Sequence, residues 1–569
     1  MFNTSRRSLS IADNINKSSR AKYIFLGIWL VLGLLQSYFT ELFHDESYWW
    51  VHSKFLAWGY FDHPPMIAIM VKIGYLFFQN ELGVRLMMVI LSVATLFLVE
   101  KMTSGKDLAL FIAIAISISL VHVGNFMAVP DIPLLFFSTL FLFIYRDYLR
   151  SDGIRNTILL SLAIVFVLYS KYHGILLIFF TLLSNLALLK KRSFWIVALL
   201  STALFIPHLY WQYANDFVTI RFHLLDRSRE AYSLLLTADY IGGQLLLTGP
   251  VIGFLLLYAA FFQKPEDKFE RALKFVTIGI FSFFLVSTLK GHVEANWTAV
   301  AFIPMIILAH KFISRRMNFR KWIFYLTPLS LVLIFTLRFF LAYDFLPENR
   351  KFKTQFHKWD DWALDIKDHA NGAFVIFGNS YEDASKYWFY TGEQAYCLNN
   401  IMYPGNQYDI WNFEEGIQGK RVMYMHNWKS SNYDSFQTVH DKTIYYWIVD
   451  DFRSYNRVYI EMENRLRLPA DTTISIPITL SNNFSYPIYF NENPDIKTYL
   501  SFHFFKNKKR VEYGRIYPEL NGTPLIDSLE MNVMVNTPEN PGKYVLRIGI
   551  TAGRFPAGRN SIFKTVTIY

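Results

Sequence analysis

The stretch Tyr23-Ile24-Phe25-Leu26-Gly27-Ile28-Trp29-Leu30-Val31-Leu32-Gly33-Leu34-Leu35-Gln36-Ser37-Tyr38-Phe39, continuing as Thr40-Glu41-Leu42-Phe43-His44-Asp45-Glu46, decides the fold class. Its first part is uncharged and apolar, and a hydrocarbon core about 30 Å thick takes roughly 20 such residues as one helix. Arg6, Arg7, Lys17, Arg20 and Lys22 precede it, but no small-residue cleavage pattern follows, so it reads as a retained anchor. The acidic pair at its far end then stands at a membrane surface.

Working outward, apolar runs of this kind number about eleven. They lie near 21–40, 82–100, 107–123, 131–145, 156–170, 173–189, 193–212, 238–261, 273–289, 296–310 and 322–343. The expected chain is a polytopic α-helical membrane protein with a cytoplasmic tail (1–20) and a membrane domain (21–343) carrying a long outer loop (41–81). Water-soluble patterning follows in 344–456 and 457–569. Composition agrees. Over 569 residues the hydrophobic share is 53% and the charged share 18%, against about 25% charged in soluble chains. Aromatics at 18% exclude a disordered chain, and the single Cys397 excludes an internal disulfide framework or a Cys-rich zinc site.

The net charge of +11 sorts by loop. Basic residues crowd the N-terminus and the loops holding Lys101 and Lys106; Arg146, Arg150 and Arg155; Lys190, Lys191 and Arg192; Lys264, Lys268, Arg271 and Lys274; and Lys311, Arg315, Arg316, Arg320 and Lys321. The intervening loops are poorer in them. By the positive-inside rule the N-terminus is cytoplasmic, and an odd number of spans puts everything after about residue 344 outside. The basic balance is thus an orientation signal, and nucleic acid is not an expected partner.

Acidic and His residues of the membrane half gather in the opposite, outer loops: His44-Asp45-Glu46, Asp62-His63, Asp131, Lys171-Tyr172-His173, the 213–237 loop and Lys290-Gly291-His292-Val293-Glu294. A pore or carrier would place ionisable groups near mid-span. Helix-end placement on one side indicates an outward-facing polar cavity instead. Within 41–81 the aromatic residues suit a helix lying in the interface, ended by Pro64-Pro65 and followed by a second short helix from Met66 to Phe78.

Taken together, Asp45-Glu46 after the first span, Tyr60-Phe61-Asp62-His63-Pro64-Pro65, Val129-Pro130-Asp131-Ile132-Pro133-Leu134, Ser170-Lys171-Tyr172-His173-Gly174 and Lys290-Gly291-His292-Val293-Glu294-Ala295-Asn296-Trp297 resemble the GT-C glycosyltransferases. The similarity is to the branch of protein O-mannosyltransferases and lipid A aminoarabinose transferases, and it extends to Gly378-Asn379-Ser380-Tyr381 and Asn406-Gln407-Tyr408-Asp409-Ile410-Trp411. It implies the GT-C fold and transfer of a sugar, with inversion, from a polyprenyl-phosphate donor to a protein, lipid A or glycan acceptor on the outer face. The rivals are a lipid-linked sugar flippase or polymerase-like carrier, and a noncatalytic glycan-binding scaffold.

A lipid phosphate leaves as a stable anion, so one carboxylate suffices to take the acceptor hydroxyl proton, and cations are needed beside the phosphate. The resemblance makes Asp45 the general base; as a bare residue it is equally a helix cap. Glu46 and Asp131 are grouped with it as candidate catalytic residues, but Glu46 lies about 100° around a helix from Asp45, and the two cannot both face one substrate. Asp131, between two prolines, either caps its span or orients base and acceptor. Lys171, Arg221, Arg227, Arg229 and Lys290 are candidate phosphate partners or snorkelling side chains. Asp62, His63, Tyr172, His292, Glu294 and Trp297 are expected to line the cavity, while Trp297, Trp49 and Trp50 also suit an interfacial belt. His63 stands where the aminoarabinose-transferase branch has Lys. A divalent metal on His292 and Glu294, with His44 or Asp62, is the one cofactor candidate, at a spacing matching no common closed site.

In the outer half, Ala373-Phe374-Val375-Ile376-Phe377, a helical stretch Asp383 to Tyr390 and Ala395-Tyr396-Cys397-Leu398 read as strand, helix, strand. The Gly378 turn is no G-x-G-x-x-G fingerprint. Alternation in Thr473–Ile478 and Lys543–Ile550 reads as an antiparallel β-sandwich. Acceptor contact, a lid over the membrane cavity or structural support are its expected tasks.

Overall fold

The computed structural model describes residues 3–569 except 104–106, 224–231, 346–355, 427–432, 464–465, 492, 494, 508 and 521–523; for 3–19 it describes backbone only. The chain divides into two units, Met1–His357 and Lys358–Tyr569.

The first unit is helical. Its elements are α1 (Asn3–Phe39), α2 (His44–Lys54), α3 (Met66–Tyr75), α4 (Glu81–Met102), α5 (Leu108–Ala115), α6 (Ser119–Val123), α7 (Asp131–Arg150), α8 (Ile154–Ser170) and α9 (Gly174–Ser184). They are followed by α10 (Arg192–Ala214), α11 (Val218–Arg221), α12 (Leu234–Thr248), α13 (Gly253–Phe262), α14 (Lys268–Ser287), α15 (Ala299–Ser314) and α16 (Met317–Ala342). Among the described residues seven helices are long and apolar enough to cross a membrane, and α12 with α13 makes an eighth if the bent pair is one span.

All eleven apolar runs form helix, but four fall short of a full continuous span. Run 107–123 breaks into α5 and α6 where Ile118 turns extended. Run 156–170 is the 17-residue α8. In 173–189, α9 stops at Asn185 and a 3-10 turn follows. The 95° bend between α12 and α13 falls at Gly249-Pro250: Gly249 takes φ +144°, and proline offers no N–H to continue the ladder.

The second unit has three sheets. A mixed one runs β2-β1-β3-β5-β4, made of β1 (Phe374–Gly378), β2 (Tyr396–Leu398), β3 (Val422–His426), β4 (Asp434–Gln437) and β5 (Thr443–Val449). Helices α17 (Trp359–Ala370) and α18 (Tyr381–Thr391) flank β1 in sequence. Two further sheets, β10-β9-β12-β13-β7 and β11-β8-β6, comprise β6 (Val458–Met462), β7 (Leu466–Leu468), β8 (Thr473–Asn482), β9 (Thr498–Lys506), β10 (Lys509–Arg515), β11 (Ser528–Asn536), β12 (Gly542–Ala552) and β13 (Lys564–Ile568). Ile476, Ile478 and Leu480 of β8 share one core with Phe502 and Phe504 of β9 and Leu546 and Ile548 of β12. Apolar residues alternate inward on both sheets, as a sandwich requires.

Candidate active site

The segment after α1 is fastened by one buried ion pair. Arg85, near the start of α4, donates through Nε to Glu46 Oε1 at 2.7 Å and through Nη2 to Glu46 Oε2. Its guanidinium also reaches the carbonyls of Ser37, Thr40 and Glu41. Glu46 in turn accepts the backbone N–H of Ala128 at 2.7 Å and of Phe43 at 2.9 Å. Both side chains are wholly buried. This latch ties the end of α1, the start of α2 and the segment leading into α7 together. Glu46, grouped from sequence with the catalytic residues, is therefore a structural anchor whose oxygens are all engaged.

Asp45 occupies the first turn of α2 beside that anchor, with an exposed side chain. From Glu46 to Ser53 the helix is buried on every face. The interfacial helix and headgroup-level Trp49 and Trp50 expected from sequence are thus corrected: both rings are 3% exposed. Their partners explain it. Trp50 meets Tyr75 edge-on at 5.8 Å, Trp49 meets His63 at 4.7 Å, and His52 packs between Tyr48 and Tyr60 at 4.3 Å from each.

Asp62 and His63 form a pair, Oδ2 to Nδ1 at 3.0 Å. Burial alone would raise the Asp62 carboxyl, but His63 holds it below the ordinary carboxylate value. His52, desolvated by burial, is pushed down to about 4, although its Nδ1–H donates to the Tyr48 carbonyl.

A second cluster lies between α7 and α9. Lys171 Nζ donates to both Asp131 oxygens, at 2.8 and 2.9 Å, and Asn296 Nδ2 donates to Asp131 Oδ2 at 2.9 Å. Both charged side chains are buried. Lys171, expected beside the donor phosphate, has its charge matched by Asp131. His173, two residues on, packs against Trp297 at 5.3 Å.

Tyr172 joins the clusters. Its O–H donates to His208 Nε2 at 3.0 Å, because His208 Nδ1–H is committed to the Trp58 carbonyl at 2.7 Å. Gln212 Nε2 donates to Tyr172 Oη at 3.0 Å and to Thr219 Oγ1 at 2.7 Å, and Thr219 donates to the Tyr60 carbonyl. His223 meets the Asp62 carbonyl at 3.2 Å. A continuous hydrogen-bond network thus runs from Tyr172 through α10 to the loop holding Asp62.

The remaining candidates stand apart. Arg221 is half-exposed, 3.8 Å from Asp216; Lys290 is exposed; Arg227 and Arg229 lie outside the described residues. His292 Nε2 and Glu294 Oε1 are 3.4 Å apart and half-exposed. Among the described residues no group of three or more His, Cys, Asp or Glu is arranged to hold a metal ion, so His292 and Glu294 do not make a metal site by themselves. Arg85, His52, His208, Gln212 and Thr219 were not singled out from sequence. Their signal was a polar residue inside or beside an apolar run, where an ionisable group needs a partner.

A family model described as dolichyl-phosphate-mannose-protein mannosyltransferase matches residues 62–211. The lipid A galacturonosyltransferase RgtD of Rhizobium johnstonii is 23% identical over 297 residues, 50% of this chain and 62% of that protein. An uncharacterized protein of Aquifex aeolicus is 36% identical over 93 residues, 15% of this chain. The chain thus spans 62% and 19% of the lengths of these two curated relatives. Crystal structures of ArnT from Cupriavidus metallidurans, apo and bound to undecaprenyl phosphate, match with a TM-score of 0.54. They are 12% and 13% identical and cover 76% and 74% of this chain, and 98% and 97% of their own.

Proposed function

We propose that this chain, a multi-pass membrane protein with the fold of the ArnT structures, is a glycosyltransferase of the GT-C class that transfers a sugar from a polyprenyl-phosphate donor to an acceptor on the extracytoplasmic face, with inversion. The observation that carries the reading is the exposed Asp45 carboxylate, held in the first turn of α2 next to a Glu46 wholly consumed by its anchor. In the reaction the acceptor hydroxyl attacks the anomeric carbon as Asp45 takes its proton. The new carbon–oxygen bond forms as the bond to phosphate breaks, and its electron pair leaves with polyprenyl phosphate. Half-exposed Arg221 and exposed Lys290, cations of the outer loops, receive that charge; Asp131, Lys171 and Tyr172 fix the loop ends around it.

The N-terminus is assigned to the cytoplasm and Lys358–Tyr569 to the outside, on the loop distribution of Lys and Arg. A membrane glycolipid is the acceptor favoured by likeness to a lipid A transferase over half the chain. A protein acceptor is the second reading, suggested by the description of the family model. Purified protein in sealed proteoliposomes, given undecaprenyl-phosphate sugars with either lipid A or a Ser/Thr-rich peptide, distinguishes them. Free undecaprenyl phosphate with glycosylated lipid A is the expected product. Glycosylated peptide alone would select the second reading, and donor translocation without any transfer would replace both by a flippase.

A further inference from the structure

The second unit contains a cavity of 390 Å³, inside the range of about 300–1,000 Å³ typical of small-molecule sites. Its location follows from the sheet. β1 lies between β2 and β3 and runs parallel to both. The chain leaving β1 through α18 goes to the β2 side, while β3 flanks the other side, so connections diverge at the carboxyl end of β1. Open α/β sheets bind ligands in the crevice such a divergence leaves. Phe377 and Gly378 of β1 and Met425 and His426 of β3 form its floor.

The turn after β1 is built for this place. A Cβ at Gly378 would lie 2.3 Å from Tyr424 Oη. Asn379 sits at φ +60° and its Oδ1 accepts the Asn400 N–H at 2.9 Å. Ser380 caps α18: its Oγ accepts the Asp383 N–H at 3.3 Å and donates to Asp383 Oδ2 at 2.8 Å. Ser380 and Asp383 both line the cavity. On another wall stand Trp359 and Trp362, edge-to-face at 5.2 Å, with His440 packed on Trp359 at 4.6 Å. Lys442 and Thr443 are exposed at the rim.

We propose that this cavity binds a hexopyranose unit and, resting on the transfer reading above, that this unit belongs to the acceptor glycan. The buried indoles of Trp359, with the Lys386 ammonium 3.7 Å over its ring, and of Trp362 give the wall an apolar stretch against which ring C–H groups can lie, and hydroxyl, carboxylate, imidazole and ammonium groups together offer both donors and acceptors to ring hydroxyls. A phosphate or nucleotide fits poorly. The turn has one glycine, and the Asp383 carboxylate stands where a helix N-terminus would otherwise receive an anion.

The test is saturation-transfer NMR on the full-length protein in nanodiscs, with methyl β-glucopyranoside, methyl β-galactopyranoside and N,N′-diacetylchitobiose as probes and AMP as the nucleotide control. Saturation of pyranose ring protons is expected for at least one glycoside. It should persist in Asp45→Asn and weaken about 2- to 10-fold, the worth of a lost hydrogen bond, in Lys442→Ala; Thr443→Trp, which fills the mouth, should abolish it. Absence of saturation by every glycoside, saturation unchanged in both rim variants, or stronger transfer to AMP at this cavity would each overturn the proposal. Because binding is read without turnover, its failure leaves Asp45-dependent transfer standing, and loss of transfer activity leaves the binding result standing.

Discussion

The Glu46–Arg85 latch yields an asymmetric prediction. Replacing Arg85 by Met leaves a wholly buried carboxylate holding only the amides of Phe43 and Ala128 and no cation. Breaking a buried pair this way costs about 3–5 kcal/mol. Replacing Glu46 by Gln leaves the guanidinium with the carbonyls of Ser37, Thr40 and Glu41, so the loss is smaller, about 1–3 kcal/mol. The double variant should cost less than the sum, with a coupling of about 2 kcal/mol. Unfolding in mixed micelles, followed by tryptophan fluorescence with transfer measured in parallel, reads both quantities. Equal stability of wild type and Arg85→Met would refute the latch. Loss of turnover in Glu46→Gln at unchanged stability would restore Glu46 as a reacting group.

Asp131→Asn and Lys171→Met should each destabilise by about 3–5 kcal/mol, and the double variant by less than their sum, in the same unfolding assay. His52 is lowered from 6.5 to about 4, so between those values the unfolded chain binds more protons and stability rises with pH. Its contribution is complete above about pH 6.5, and about 2 kcal/mol is gone by pH 5; His52→Phe should flatten that slope in unfolding midpoints measured from pH 5 to 7. Gly378→Ala should cost about 1–3 kcal/mol by driving a methyl into Tyr424 Oη, and Tyr424→Phe in the same chain should recover most of it, read by thermal melting.

Hydropathy is a local property, and for that reason the apolar runs and the strands around 374–377, 396–398, 473–478 and 543–550 were legible. What interrupts a run was less so. The bend after Thr248 depends on how Gly249-Pro250 packs, and the break at Ile118 leaves no gap in hydropathy. The aromatic residues of α2 misled because a headgroup belt and a packed core draw on the same residue types; burial of Trp49 and Trp50 separates them only in three dimensions. The role of Arg85 is hidden for a related reason. One arginine in an apolar run announces a partner, but nothing local says that it is Glu46, 39 residues earlier. Likewise nothing local to Lys171 says that its charge is paired with Asp131, 40 residues earlier.

The most direct test of the central claim is turnover of Asp45→Asn. Purified wild-type and variant protein in nanodiscs would be compared for release of free undecaprenyl phosphate from its sugar-linked form in the presence of acceptor. Removing a general base is worth about 10²–10⁴-fold, so the variant should lose at least two orders of magnitude while matching the wild type in unfolding midpoint and donor binding. Wild-type turnover in Asp45→Asn would contradict the account, whatever the fold.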